Sequence, residues 1–153
     1  MTTPDERVRE LGLELPAVPD QPPGHAPRPI VPVVVHGSTA YFSGVAPLGV
    51  TGIVGADLTV EQGYDVARTV ALMTLRRIVD AFGSLDAVDK FLKVTGFVRS
   101  APGFSEQPDV VNGFSDLVIE VYGAHGRCAR SAIGTSELPR NIPLEIESIV
   151  ALR

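Results

Sequence analysis

The chain has 153 residues, 44% of them hydrophobic and 20% charged, which is the balance of a compact globular protein. Its net charge of −5 and its scattered basic residues disfavour a nucleic-acid-binding surface, because such affinity comes largely from clustered lysines and arginines. No apolar run approaches the roughly 18 residues of a membrane span, and the N-terminus does not resemble a secretory signal. We therefore expect a cytoplasmic protein that binds neither membranes nor nucleic acid.

The N-terminal part differs in composition from the rest. A capping pattern at Thr3 predicts a short helix that extends to about Leu11. Seven of the 13 prolines lie within the first 30 residues, so the segment 16–29 is predicted to be an extended arm. This division predicts a helix and arm over 1–29 and a folded domain over 30–153.

The remaining pattern predicts five strands and two helices. Apolar alternation marks the strands, while capping residues and spacings of three and four mark the helices. In chain order they are a hairpin over 31–44, a helix from Thr59 to Gly83, a strand over 90–100, a helix from Pro108 to Gly123, and strands over 127–135 and 144–152. The order β-β-α-β-α-β-β predicts an α+β sandwich with one mixed sheet and two helices on one face.

Several familiar chemistries have no support in the sequence. There is neither a G-x-S-x-G nucleophile motif nor a phosphate-binding P-loop. The single cysteine, Cys128, cannot form an internal disulfide, and His25, His36 and His125 lie in three different predicted loops. No metal or cofactor is therefore expected.

The two last strands carry an unusual charge pattern. Strand alternation places Arg130 among small neighbours, and we expect Ile133 to mark the core, which puts Arg130 on the opposite face. If the two strands pair as a hairpin, Glu145 and Glu147 share that face with Arg130. One interpretation is an ordinary salt bridge on a solvated surface. The other is a face covered by a loop, the arm or another subunit, where Arg130 could bind the carboxylate of a small ligand.

Several short segments carry a family resemblance. They are Ser43-Gly44, VNGFSDL around Asn112, ARS at 129–131, ELP at 137–139 and PLEIESI at 143–149. With them the chain resembles the reactive-intermediate deaminase family, also called RidA, YjgF or endoribonuclease L-PSP, and in particular a divergent branch with an N-terminal extension.

The resemblance implies a chorismate-mutase-like fold and a homotrimer with clefts between subunits. Active members hydrolyse enamines and imines, such as 2-aminoacrylate and 2-iminobutanoate, to 2-oxo acids and ammonia without a cofactor. The resemblance implies that Arg130 binds the substrate carboxylate, that Glu145 positions the attacking water, and that Ser43 and Asn112 line the substrate site.

Two positions depart from the family pattern. Ile30 stands where active members have a tyrosine, and Ala132 stands where a cysteine is common, so a roomier and more apolar pocket is expected. The missing hydroxyl leaves an alternative function open, a non-catalytic trimer that binds small carboxylates. The family's older description as a ribonuclease or translation initiation inhibitor is disfavoured by the acidic composition, which offers no basic groove.

Overall fold

A computed structural model describes residues 2–19 and 26–153. The predicted order of elements is confirmed, with the short N-terminal helix before it. The elements are α1 (Pro4–Glu10), β1 (Val33–His36), β2 (Thr39–Val45), α2 (Val60–Phe82), β3 (Val88–Arg99), α3 (Gln107–Tyr122), β4 (Ala129–Thr135) and β5 (Leu144–Leu152). Part of the predicted arm, residues 20–25 with His25, lies outside the described residues, and the division at residue 30 stays a prediction.

The five strands form one mixed sheet in the order β1-β2-β5-β3-β4. Three pairs are antiparallel, whereas β4 runs parallel to β3 and forms an edge of the sheet. β4 and β5 therefore do not form the hairpin on which the expected meeting of Arg130 with Glu145 and Glu147 depended. The physical reason is that α3 connects β3 to β4 as a crossover, which places β4 beside β3 in the parallel sense, and β5 then occupies the other side of β3.

The two long helices cover one face of the sheet, as predicted. Thr59 and Gln62 close a capping box at the start of α2, and Gly83 ends the helix in the left-handed conformation that favours glycine. The apolar stripes of both helices are buried against the inner face of the sheet.

Two glycines set how closely α3 packs. A Cβ atom at Gly113 would collide with the backbone carbonyl of Tyr64 in α2, and a Cβ at Gly96 in β3 would meet Val111. Because both positions lack a side chain, α3 lies tightly against α2 and against β3. As a result of this packing, the side of α3 that carries Asn112 lies next to β4.

The other face of the sheet has no helix on it in the described part of the chain. Several large apolar side chains are exposed there, among them Val34, Tyr41 and Ile133.

Among the described residues, no helix has both the length and the hydrophobicity that crossing a bilayer requires.

Candidate functional site

Arg130 in β4 is held by side chains of α3. Its Nη1 donates hydrogen bonds to Asn112 Oδ1 at 2.8 Å and to Ser115 Oγ at 3.1 Å. Its Nη2 donates a longer bond, 3.4 Å, to the carbonyl oxygen of Pro108. All three acceptors are neutral, and among the described residues no carboxylate forms an ion pair with Arg130. We call Arg130, Asn112 and Ser115 the arginine cluster.

The predicted face of Arg130 is wrong. Arg130 points toward the helices, whereas Ile133 lies on the outer face and is 46% exposed. Cys128 and Ala132, which share the face of Arg130, pack against the core. Small side chains were expected to form a recess on the outside of the sheet, and they instead make room for α3 on the inside.

Glu145 lies on the outer face of β5, where it pairs with Phe97 of β3. Its carboxylate and side chain lie directly over Gly44, where a Cβ atom would collide with them. A glycine at position 44 therefore lets the carboxylate lie flat against β2. We call Glu145, Gly44 and Ser43 the glutamate cluster.

Burial raises the pKa of the Glu145 carboxyl above its ordinary value, although the side chain is only about half buried. The guanidinium groups of Arg140 and Arg28 oppose this shift, and the nearby Glu147 adds to it. Neither arginine comes within ion-pair distance of Glu145. The carboxyl therefore holds its proton more tightly than a free glutamate would, as suits a group that exchanges protons with water.

Two residues were predicted to contact the substrate on this side of the sheet: Ser43, which belongs to the glutamate cluster, and Ile30, which lines the same cavity as Ser43. The Ser43 hydroxyl donates a hydrogen bond of 2.7 Å to the carbonyl oxygen of Val31. This bond occupies the hydroxyl proton, so the oxygen can still accept a bond from a ligand. Ile30 is 60% exposed and brings an apolar side chain to this region.

A cavity of about 570 Å³ opens beside the glutamate cluster. Its walls come from the arm, the end of β2, the loop that follows β2, α2 and the loop before β5. Among the described residues that line it are Arg28, Ile30, Ser43, Leu48, Met73 and Arg140.

One chain does not bring the two clusters together. Arg130 and Glu145 lie on opposite faces of the sheet, with β3 between their strands. Asn112 and Ala132 accompany Arg130, whereas Ser43 and Ile30 accompany Glu145. The predicted contact between Arg130 and the glutamates is therefore absent within the described part of one chain.

Sequence reasoning missed four contributors to these clusters. Ser115 and the Pro108 carbonyl hold Arg130, and Arg28 and Arg140 lie near Glu145. Ser115 follows Asn112 by three positions on one helix, so helical spacing would have placed both on one side. No local signal pointed to the two arginines. Within the described residues, no group of three histidines, cysteines or acidic side chains is placed to hold a metal ion.

The fold and the two clusters define a small α+β protein that offers polar groups suited to binding a small anionic molecule. The family model described as "YjgF/chorismate_mutase-like, putative endoribonuclease" matches residues 5–150. The chain therefore belongs to the YjgF/chorismate mutase-like family.

Individual relatives support this assignment. The chain is 36% identical over 151 residues to Protein TCP17 of Trypanosoma cruzi, with 95% of this chain and 91% of the relative covered. It is 31% identical over 130 residues to the 2-iminobutanoate/2-iminopropanoate deaminase of Dermatophagoides farinae, with 83% and 91% covered. The crystal structure of Atu1372 from Agrobacterium tumefaciens, a protein of unknown function, has a TM-score of 0.85 at 36% identity, with 99% and 94% covered.

Proposed function

We propose that the protein hydrolyses 2-imino acids, and the enamines that tautomerise to them, in a cleft between two copies of the chain. The arginine cluster of one copy would face the glutamate cluster of its neighbour. The observation that supports this proposal is the Arg130 guanidinium, whose hydrogen-bond acceptors among the described residues are all neutral.

The hydrogen bonds of Arg130 leave a defined part of the guanidinium open. The bonds use Nη1 twice and Nη2 once, and among the described residues the Nε–H has no partner. The Nε edge of a guanidinium carries two parallel N–H groups, one from Nε and one from Nη2, that match the two oxygens of a carboxylate. Arg130 would therefore bind a substrate carboxylate side-on while Asn112 and Ser115 hold the guanidinium in position.

The position of Arg130 in the sheet is compatible with a composite site, that is, one formed by residues of two copies of the chain. Because β4 is an edge strand, Arg130 lies close to a border that a second copy can approach. The outer face that carries Glu145 also exposes Val34, Tyr41 and Ile133, an apolar surface suited to an interface. The resemblance to the family implies a homotrimer, in which each copy would supply both clusters to different clefts.

The chemistry needs only positioning and one proton acceptor. With the carboxylate fixed by Arg130, water attacks the imine carbon while Glu145 accepts a proton from that water. The C–O bond forms as the electrons of the C=N bond move to nitrogen, and Glu145 gives that nitrogen the proton it took from the water. Glu145 then accepts the proton of the new hydroxyl group and passes it to the amino group, the C–N bond breaks as the C=O bond forms, and a 2-oxo acid and ammonia leave.

A trapping assay tests this proposal. An amino-acid oxidase acting on alanine generates 2-iminopropanoate, and semicarbazide traps the imine that has not been hydrolysed. We expect the protein to lower the trapped fraction and both Arg130→Gln and Glu145→Gln to abolish that effect. Arg127→Gln, an exposed charge three residues from Arg130, is the control and should behave as the unmodified protein. Full activity in Arg130→Gln would rule the proposal out.

A second function, carboxylate binding without turnover, is favoured by Ile30. This exposed apolar side chain lies where the active relatives implied by the resemblance have a hydroxyl. In that case 2-oxo acids should raise the melting temperature of the protein in an Arg130-dependent manner without any imine hydrolysis. Turnover in the trapping assay would exclude this alternative.

A further inference from the structure

The fold gathers basic side chains that are scattered in the sequence at one end of the sheet. Because β4 is parallel to β3 and β5 is antiparallel to it, the beginnings of β3 and β4 and the end of β5 lie together. The basic residues there are Lys90, Lys93, His125, Arg127 and Arg153, and we call them the basic end. They include both lysines of a chain whose net charge is −5. An acidic group would therefore meet a favourable local potential here, although most of the surface repels it.

The acidic side chain of Asp89 lies among these residues and has its own partners there. Its Oδ1 is 3.6 Å from His125 Nδ1 and 4.0 Å from Arg153 Nη1. The backbone carbonyl oxygen of Asp89 is also 2.7 Å from His125 Nδ1. The charge of Asp89 is therefore directed at His125 and Arg153 and does not neutralise the other three basic side chains.

Those three side chains have no acidic partner. Lys93 Nζ donates a hydrogen bond of 2.8 Å to the neutral Ser131 Oγ, while Lys90 and Arg127 are exposed. Among the described residues, no carboxylate lies within ion-pair distance of any of the three. Lysine has three N–H donors and arginine five, so most of their donors remain available to the carboxylates of a partner.

An exposed apolar side chain, Leu92, stands between the two lysines. It is 40% exposed although it lies within a strand of the sheet. The pairing of β3 with β5 passes from Phe91 directly to Lys93, and the pairing with β4 begins only at Lys93. A bulge of this kind interrupts the pairing and changes the direction of a side chain. An apolar residue surrounded by charged ones has the arrangement of a small protein interface, with an apolar centre and a polar rim.

We propose that the basic end binds a short acidic segment of a partner protein. Carboxylates of the segment pair with Lys90, Lys93 and Arg127, and one of its apolar residues covers Leu92. The two lysines are about 10 Å apart along β3, so an extended segment of about five residues reaches across the surface. Leu92 favours a polypeptide over nucleic acid, because a polypeptide supplies acidic and apolar side chains together. This surface uses neither the arginine cluster nor the glutamate cluster and is independent of the proposed hydrolysis.

Fluorescence anisotropy of a labelled peptide, Glu-Asp-Glu-Leu-Glu-Asp-Glu, tests the proposal with the full chain. We expect saturable binding that weakens as the salt concentration rises. A neutral version of the peptide, with glutamine and asparagine in place of the acidic residues, should bind at least about tenfold more weakly, since it loses several exposed ion pairs. A version with serine in place of the leucine should bind about threefold more weakly.

Variants of the protein locate the surface. Lys90→Gln and Arg127→Gln should each weaken binding of the acidic peptide by about threefold, as is usual for one exposed ion pair. Leu92→Ser should weaken it to a similar extent, and because Leu92 is exposed, this variant should fold normally. Arg76→Gln is the matched control, since it removes an exposed arginine of α2 and changes the net charge by the same amount. Its affinity should equal that of the unmodified protein.

Three results would overturn the proposal. One is equal binding of the acidic and the neutral peptide, or no binding of either. Another is an affinity that falls as far in Arg76→Gln as in Lys90→Gln and Arg127→Gln, which would show attraction to overall charge alone. The third is a polyuridylate strand that binds more tightly than the peptide and is insensitive to Leu92→Ser, which would assign the basic end to nucleic acid.

Discussion

At the scale of single residues, the half-buried carboxyl of Glu145 lowers the stability of the folded chain when it is ionised. Removal from water disfavours its ionised form, and the nearby arginines do not fully offset this effect, so the net shift of its pKa is upward. The folded chain therefore binds the Glu145 proton more tightly than the unfolded chain does. This difference favours folding below the ordinary pKa of 4.5 and is lost as the pH rises through the raised value.

We predict that Glu145→Gln stabilises the protein at neutral pH while it removes the proposed hydrolysis. Glutamine has nearly the same shape and no charge, so it avoids the cost of burying the carboxylate. The melting temperature at pH 7, measured at a fixed protein concentration, should be higher in Glu145→Gln than in the unmodified protein. The difference should disappear below pH 4.5, where the native carboxyl is protonated.

Glu147→Gln provides the matched control because Glu147 lies on the same strand and face but is exposed. This change should alter the free energy of unfolding by no more than about 0.5 kcal/mol, as is usual for a surface position. A Glu145→Gln variant that is less stable than the unmodified protein at pH 7 would show that attraction to the arginines outweighs burial.

At the scale of secondary structure, hydrogen bonds of Asp5 help to attach the N-terminal helix to the domain, together with the buried side chain of Val8 and a bond from Arg7 Nε to the carbonyl oxygen of Glu120. Asp5 accepts hydrogen bonds from the Ser84 hydroxyl at 2.6 Å and from the Leu85 amide at 3.0 Å. The Asp5 amide donates to Asp86 Oδ1 at 3.0 Å. These bonds join α1 to the turn between α2 and β3.

We predict that Asp5→Ala lowers the free energy of unfolding by about 1.5–3 kcal/mol, the range for hydrogen bonds that involve a charged group. Urea-induced unfolding measures this loss, and the slope of the free energy of unfolding against urea concentration should stay unchanged. Glu10→Ala is the control in the same helix, since it removes only an exposed ion pair with Arg7, and should cost at most about 1 kcal/mol. Equal losses in both variants would show that the contacts of Asp5 do not fasten α1.

The sequence was informative about elements because their ends carry local signals. Capping residues at Thr59 and Gly83 act within one turn of the chain, so they can be recognised without knowledge of the fold. The partner of β4 carries no such signal. Whether β4 pairs with β3 or with β5 depends on where α3 leads the chain after β3. The alternation of residues within β4 contains no information about that.

The error over Arg130 has a related cause. Ile133 was taken to mark the core because it is apolar, but this sheet has apolar side chains on both faces. Alternation shows that Arg130 and Ile133 face opposite ways, and it cannot show which of them faces the helices. The motif resemblance selected Arg130 and Glu145 without this information, since it depends on residue identity and spacing alone.

At the scale of the whole molecule, the proposed hydrolysis requires more than one copy of the chain. The two clusters lie on opposite faces of one sheet, and no rotation of side chains can bring Arg130 and Glu145 to the same small substrate through β3. A neighbouring copy that covers the exposed outer face would supply the missing cluster. It would also bury apolar side chains such as Tyr41 and Ile133.

We predict that two inactive variants restore each other's activity when they are mixed. In a composite site, Arg130→Gln can still supply Glu145, and Glu145→Gln can still supply Arg130. After co-refolding in equal amounts, about one quarter of the clefts should combine the two intact residues, because each is present with a probability of one half in a randomly mixed symmetric assembly. Imine hydrolysis should therefore recover to about a quarter of the original level, whereas each variant refolded alone, and the two combined without refolding, should stay inactive. If Arg130 and Glu145 acted within one chain, no mixture would recover activity. A mixture that stays inactive after its subunits have been shown to exchange would therefore exclude the composite site.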